Sequence, residues 1–323
     1  MYDMHYDLLT ILYYNYKLNN KYSNIHKLIN DCKNIYNNNI IGGIINLFFM
    51  SPNEMYDEIG ITLEELLDLE GMFKKSVGYL NYLKDIGVIS KKIDFIYSIE
   101  GCDYLEDVNE LDNLYKMGLR SVLPVWNNKN RYASGIRSDS GITEEGIKLI
   151  EKAVSLGIII DISHANKRSF FDILNILSNY SKDDYTLIAS HSNVRSICDR
   201  ERNLDDYQLF ELKNMDGYIG LFTNSNFLSL NNKNMSYKER QLTYLKHLDY
   251  VIEKIGFSRD RIIVSTDDMN FHPDDIYHQK ETFPIENVSK DLYTLISEKY
   301  DEDLARMIMY SNPKKIISKV KKR

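Results

Sequence analysis

Short apolar runs rich in β-branched residues recur along the chain, and most are followed by a segment of helix length. Eight of them are strand candidates: Met4–Leu9, Ile40–Phe49, Ile93–Ile99, Leu119–Val125, Ile158–Ile162, Thr186–Ala189, Gly217–Phe222 and Arg261–Ser265. The runs are continuous rather than alternating, as parallel strands covered on both faces are. Helical patterns lie between them, among them Leu63–Lys84, Thr143–Ser155, Lys167–Ser178, Asp205–Lys213 and Tyr237–Ile255, with Asp301–Tyr310 and Pro313–Val320 closing the chain. Glu144 and Glu145 behind Thr143 favour a first helical turn through the helix dipole, and Pro313 suits the same position in its own helix. Strands and helices alternating eight times predict an α/β fold, a (β/α)8 barrel of the TIM type.

At 323 residues the chain is long for one domain, yet barrels of this class reach that size. No internal repeat, low-complexity linker or composition shift asks for a second domain, so one domain over residues 1–323 is expected. Two polar, irregular stretches, Asn127–Gly141 and Asp268–Val288, each follow a strand candidate and should lie over the C-terminal mouth of the barrel. Loops of that length are uncommon unless they bind something or move.

Charge and cysteine content narrow the partners. The net charge is −7, and Lys and Arg cluster only near the C-terminus, from Lys314 to Arg323. Phosphate contacts need a basic face, so nucleic acid is not an expected partner. Three scattered cysteines, Cys32, Cys102 and Cys198, read as free thiols of a reducing compartment. No apolar run approaches the length of a membrane span, and the N-terminus has no basic region followed by an apolar stretch. A cytoplasmic location without membrane contact is the expectation.

Ligand-type residues fall at strand ends. His5 and Asp7 leave the first candidate two residues apart, which on a regular strand puts both on one side. Glu100 follows the third candidate, His164 the fifth, His191 the sixth and Asp267 the eighth. In a barrel these ends converge on the face where catalytic residues gather. Three histidines with carboxylates suit zinc-like divalent metals, and Glu100, between the first-strand pair and the later histidines, is the natural bridge of a two-metal site. Singly, each residue has an ordinary reading. A His-x-Asp pair arises by chance, His164 and His191 fit as core histidines, Glu100 fits a helix N-terminus, and Asp267 with Asp268 fits a loop cap. The joint pattern favours the metal site, because His26, His247, His272 and His278 do not fall at strand ends.

From about residue 3 to residue 315 the chain resembles the membrane (renal) dipeptidase family, peptidase M19, a branch of the amidohydrolase-like metal-dependent barrels. His5-Tyr-Asp7 resembles the opening His-x-Asp of that family, and Ile99-Glu-Gly101 its bridging glutamate motif. Gly118-Leu-Arg120 and Gly141-Ile-Thr-Glu-Glu-Gly146 match further elements. Most specific, in this order, are Asp161-Ile-Ser-His164, Ser190-His-Ser-Asn193 and Arg202-Asn-Leu-Asp205. The resemblance implies two divalent metal ions, zinc by analogy, one held by His5 and Asp7, the other by His164 and His191, with Glu100 bridging. It implies a hydroxide between the metals as nucleophile, Asp267 as the proton carrier, and Arg202 as the binder of the free carboxylate of a dipeptide, including dipeptides with a D-residue on that side. Relatives are often dimers, and the sequence leaves the oligomeric state open between a monomer and a homodimer. The blander alternatives are a surface ion pair for Arg202 and core filling for Trp126.

Two departures bear on the substrate. Well-known members carry a substrate-contacting histidine after strand four, where Leu123-Pro-Val-Trp-Asn127 places Trp126, as many bacterial relatives do. An indole offers one N–H donor and nothing that titrates. After strand eight, Ser265-Thr-Asp-Asp-Met-Asn270 replaces the family's Gly-Ser/Thr-Asp-Phe-Asp-Gly. A metallo-dipeptidase is the expected activity. A related amidohydrolase acting on another amide or a lactam, and a metal-binding relative without catalysis, are the rivals.

Overall fold

The computed structural model describes residues 1–18, 39–48, 68–267 and 288–322. Every strand candidate becomes a strand: β1 (Tyr2–Tyr6), β2 (Gly42–Phe48), β3 (Asp94–Glu100), β4 (Leu119–Leu123), β5 (Ile159–Asp161), β6 (Thr186–Ala189), β7 (Tyr218–Phe222) and β8 (Ile262–Ser265). Each pairs in parallel with the next, in sequence order. The last strand returns to the first. The Thr266 backbone and hydroxyl both donate to the Asp3 carboxylate, and the Asp267 N–H donates to the His5 carbonyl at 3.1 Å. The sheet therefore closes into the expected (β/α)8 barrel.

The intervening helices are α1 (Leu8–Leu18), α2 (Leu69–Asp85), α3 (Glu110–Lys116), α4 (Glu144–Leu156), α5 (Lys167–Leu177), α6 (Asp206–Asn214), α7 (Tyr237–Asp249), α8 (Val288–Lys299), α9 (Glu302–Arg306) and α10 (Asn312–Lys321). Their starts carry cap chemistry. Thr143 accepts the Gly146 N–H, Asn166 that of Ser169, and Asp205 and Ser236 each close a reciprocal capping box. The α7 pattern continues as a wider π turn over Tyr250–Lys254, so the expected helix to Ile255 is irregular in its last turn. The apolar run Met4–Leu9 divides: its strand ends at Tyr6, and Leu8 opens α1. Both halves are buried, so hydrophobicity alone does not show where strand becomes helix. Phe49, residues 63–67 of the expected second helix, Cys32 and nearly all of the Asp268–Val288 loop lie outside the described residues. Cys102 and Cys198 are free and buried. Among the described residues no helix is long and apolar enough to cross a membrane.

The packing gives the barrel two unlike ends. Inward residues of the strands, Met4, Ile44, Ile96, Ile159, Ile188 and Ile263, form one layer with Tyr2 and Tyr218, and Ile316, Ile317 and Val320 of α10 pack onto it. Hydrocarbon thus fills the N-terminal end, as in other barrels of this type. Buried polar groups collect instead at and just beyond the strand C-termini, where His5, Asp7, Glu100, Asp161, His164 and His191 sit.

Candidate active site

The first strand delivers His5 through an irregularity. Between Asp3 and Tyr6 it runs three residues against two of β2, Gly43 to Ile45. Such a bulge re-aims side chains, so His5 and Asp7 reach one site without the regular alternation that their spacing suggests. Glu100 is the last residue of β3, and His191 lies two residues beyond β6. His164 and Asp267 follow β5 and β8 with φ of 66° and 55°, in the left-handed region that non-glycine residues seldom occupy. Backbone held there is a mark of sites where geometry is over-determined by the surroundings.

All six sequence-selected residues converge. The Glu100 carboxylate faces two ways: Oε2 lies 2.8 Å from His5 Nε2, and Oε1 lies 3.2 Å from His164 Nε2 and 3.8 Å from His191 Nε2. Asp7 and Asp267 approach His5 Nε2 at 3.9 and 3.7 Å. Donor atoms of His5, Asp7 and Glu100 form one compact group, and those of Glu100, His164 and His191 a second, with His5, His191 and Asp267 as a third. The five presumed ligands are buried.

Charge in this pocket is dense. Burial opposes protonation of His5, but Glu100, then Asp7 and Asp267, outweigh it and raise the imidazole to about 10. Burial would likewise raise Glu100, yet His5 and His164 hold its carboxyl well below the usual range. The other two histidines go the opposite way. Burial, with Arg202 adding, lowers His164 to about 3, and burial with His5 and Arg202 places His191 well below its ordinary value. Asp267 is raised to about 7 by burial, with His5 opposing and Glu100 adding. Three carboxylates crowded enough to keep a proton on His5 mark where a metal cation would take that proton's place, beside two imidazoles kept neutral.

The imidazole tautomers agree. His164 Nδ1 lies 2.9 Å from Asn127 Oδ1, an atom that only accepts, so its proton sits there and the Nε2 lone pair faces inward. His191 Nε2 is 2.9 Å from His164 Nε2. With His191 in the same tautomer, two lone pairs face each other there, and a shared cation would relieve their repulsion. The residues present fit a bound metal.

Arg202 is buried against the site wall. Its Nη2 donates to the His191 carbonyl at 3.0 Å, and its guanidinium lies 6.0 and 5.9 Å from the Phe222 and Phe227 ring centres. No carboxylate stands within 4.0 Å of it among the described residues. The expected alternative of a surface ion pair is therefore not what the fold builds. Its loop is pinned by Val194 and Leu204, which pair in parallel, and by the Val194 N–H donated to His247 Nδ1 at 3.1 Å. Burial lowers Arg202 to about 10, with Asp267 and Glu100 opposing, so it keeps its charge at neutral pH. Trp126 is half-buried at the rim, with its ring 6.0 Å from His164 and 4.9 Å from Phe48, and the Arg137 guanidinium 5.7 Å over it. Asn127, Ser190, Phe222 and Phe227 also belong to this site, though their residue types gave no reason to single them out.

The membrane dipeptidase family model, peptidase family M19, matches residues 1–322. The chain belongs to this family. It is thereby a peptide-bond hydrolase. The uncharacterized protein in the pqqA 5' region of Klebsiella pneumoniae is 26% identical over 278 residues, 82% of this chain and 97% of that protein. Dipeptidase 3 of Mus musculus is 26% identical over 176 residues, which cover 52% of this chain and 34% of that protein. A metallopeptidase from Rhodobacter sphaeroides, liganded with a phosphinate mimic of the dipeptide L-Ala-D-Ala, has a TM-score of 0.71 at 20% identity, over 99% of this chain and 98% of that one. At that identity the likeness speaks for the fold.

Proposed function

We propose that this member of the membrane dipeptidase family is a metal-dependent dipeptidase that uses two divalent ions, zinc by the chemistry of its ligands. His5 and Asp7 would hold one ion, His164 and His191 the other, and Glu100 would join them. The observation that carries this reading is the Glu100 carboxylate, whose two oxygens face two different sets of histidines. Such ions, when bound, make water a nucleophile at neutral pH and polarise the amide carbonyl.

The chain's own residues do the rest. Arg202, a buried fork of donors without a protein counterion among the described residues, binds the substrate's terminal carboxylate and so measures where the peptide ends. Asp267, with its carboxyl raised to about 7, takes a proton at its Oδ1 side near His5 and returns it to the leaving amine. Trp126, at the rim beside His164, contacts the substrate where well-known members of the family place a histidine. A D-residue on the carboxylate side is within the substrate range that the family resemblance implies.

Metal content of the purified protein tests the reading, for the parent and for Glu100→Ala, alongside a dipeptide panel. About two metals per parent chain, a loss in the variant, and dipeptide turnover by the parent support it. Metal without dipeptide turnover, together with cleavage of another amide or a lactam, favours the related amidohydrolase that Trp126 would suit. No metal after zinc or manganese is supplied removes the metal reading.

A further inference from the structure

Ser190 stands between two of the presumed metal-binding histidines. Its Oγ lies 3.1 Å from His5 Nδ1 and 2.8 Å from His191 Nδ1, the ring nitrogens that point away from Glu100. A serine hydroxyl has one proton to give and two lone pairs to offer. The Ser163 hydroxyl, 3.4 Å from Oγ and able to accept, is a further partner for that proton. With the proton turned there, both lone pairs remain for the two Nδ1–H groups. The buried Asp161 carboxylate accepts the Ser190 and Ser163 amides, at 3.1 and 3.0 Å, and fixes the backbone that carries both hydroxyls.

The backbone around Ser190 is clamped as firmly. Its N–H is held by Asp161, and its carbonyl accepts the Ser265 hydroxyl. Gly220 of β7 permits the close approach, since a Cβ there would stand 1.8 Å from the Ser190 carbonyl oxygen. One hydroxyl, fixed in place, thus faces two imidazoles whose Nε2 atoms face the carboxylate cluster.

We propose that Ser190 is a positioning residue that sets the tautomer and ring orientation of His5 and His191 together, making both present an Nε2 lone pair to the metals, with Asp161 anchoring its backbone. His164 is oriented separately, by Asn127. The inference rests on the reading that these histidines hold metal. Groups of this kind behind a metal ligand are typically worth 10–100-fold in metal affinity.

The test uses the full chain loaded with cobalt(II), whose paramagnetism shifts the Nδ1–H protons of bound imidazoles away from all others in the proton spectrum. The parent should show three such signals that vanish in heavy water. In Ser190→Ala, two should broaden through fast solvent exchange while the His164 signal stays sharp, and cobalt should bind about 10–100-fold more weakly. Ser190→Thr, which keeps the hydroxyl, should restore them. Asn127→Ala should lose the third signal alone. If Ser190→Ala does not fold, Ser190→Cys, whose sulfur is a weak acceptor, should give the same two-signal loss. Three sharp signals and unchanged cobalt affinity in the Ser190 variants overturn the inference. A parent that binds no cobalt overturns the metal reading beneath it, a result of a different kind.

Discussion

Arg202→Met separates substrate recognition from the rest of the chemistry. The guanidinium has five N–H donors, of which the His191 carbonyl takes one, so a bidentate fork remains for a carboxylate. A hydrogen bond to a charged group contributes about 1.5–3 kcal/mol, so two contribute about 3–6 kcal/mol. At 1.4 kcal/mol per factor of ten, that is a preference of about 10²–10⁴ for a dipeptide over its C-terminal amide, read as a ratio of kcat/KM. Methionine keeps much of the volume between Phe222 and Phe227 and removes the fork. The ratio should then collapse to within a few-fold of one. The ratio is the right quantity, because losing the bond to the His191 carbonyl can move that histidine and slow both substrates alike. Metal content measured in parallel identifies such a shift. If the variant keeps the parent's ratio, Arg202 does not read the carboxylate. If the parent makes no distinction between acid and amide, the dipeptidase substrate assignment fails with it.

Glu100→Gln should retain the pocket's shape yet lose metal, because the neutral amide offers one acceptor oxygen where the carboxylate faces histidines on both sides; elemental analysis after desalting measures it. Asp267→Asn should lower kcat by about 10²–10⁴ with metal content unchanged, as loss of a proton carrier does, and a fall in metal content instead would make Asp267 a ligand. Acid should weaken the fold through His247, which is buried and neutral between the Val194 N–H and the Leu228 carbonyl. Burial lowers it from 6.5 to about 4, so the unfolded chain binds the extra proton in that window, and stability falls as pH drops through it. Urea unfolding should show the parent losing about 2 kcal/mol more than His247→Gln between pH 7 and pH 5. Thr143→Ala should cost about 1 kcal/mol in the same assay, because it strips the cap that accepts the Gly146 N–H.

The chain's own pattern was enough to state the barrel, because burial on both faces writes continuous apolar runs for strands and a 3.6-residue period for helices, and both signals are local. The positions of His5, Asp7, Glu100, His164, His191 and Asp267 at strand ends were legible for the same reason, and the motif order tied them to one family. Other features were not local and stayed silent. The bulge that re-aims His5 depends on pairing with β2, and the opposite orientations of the two Glu100 oxygens depend on strands one, five and six. The motif around Arg202 implied a carboxylate binder, but only the packing of Phe222, Phe227 and the His191 carbonyl shows that its charge is buried without a counterion among the described residues. Ser190 is the clearest case. Its motif marked the segment but gave the serine no role, and its two imidazole partners come from residues 5 and 191, brought together only when β1 and β6 line one barrel. Local periodicity and residue type settled the architecture and the chemistry available; the direction of each lone pair and proton was decided by contacts between residues far apart in the chain, which only closure of the barrel creates.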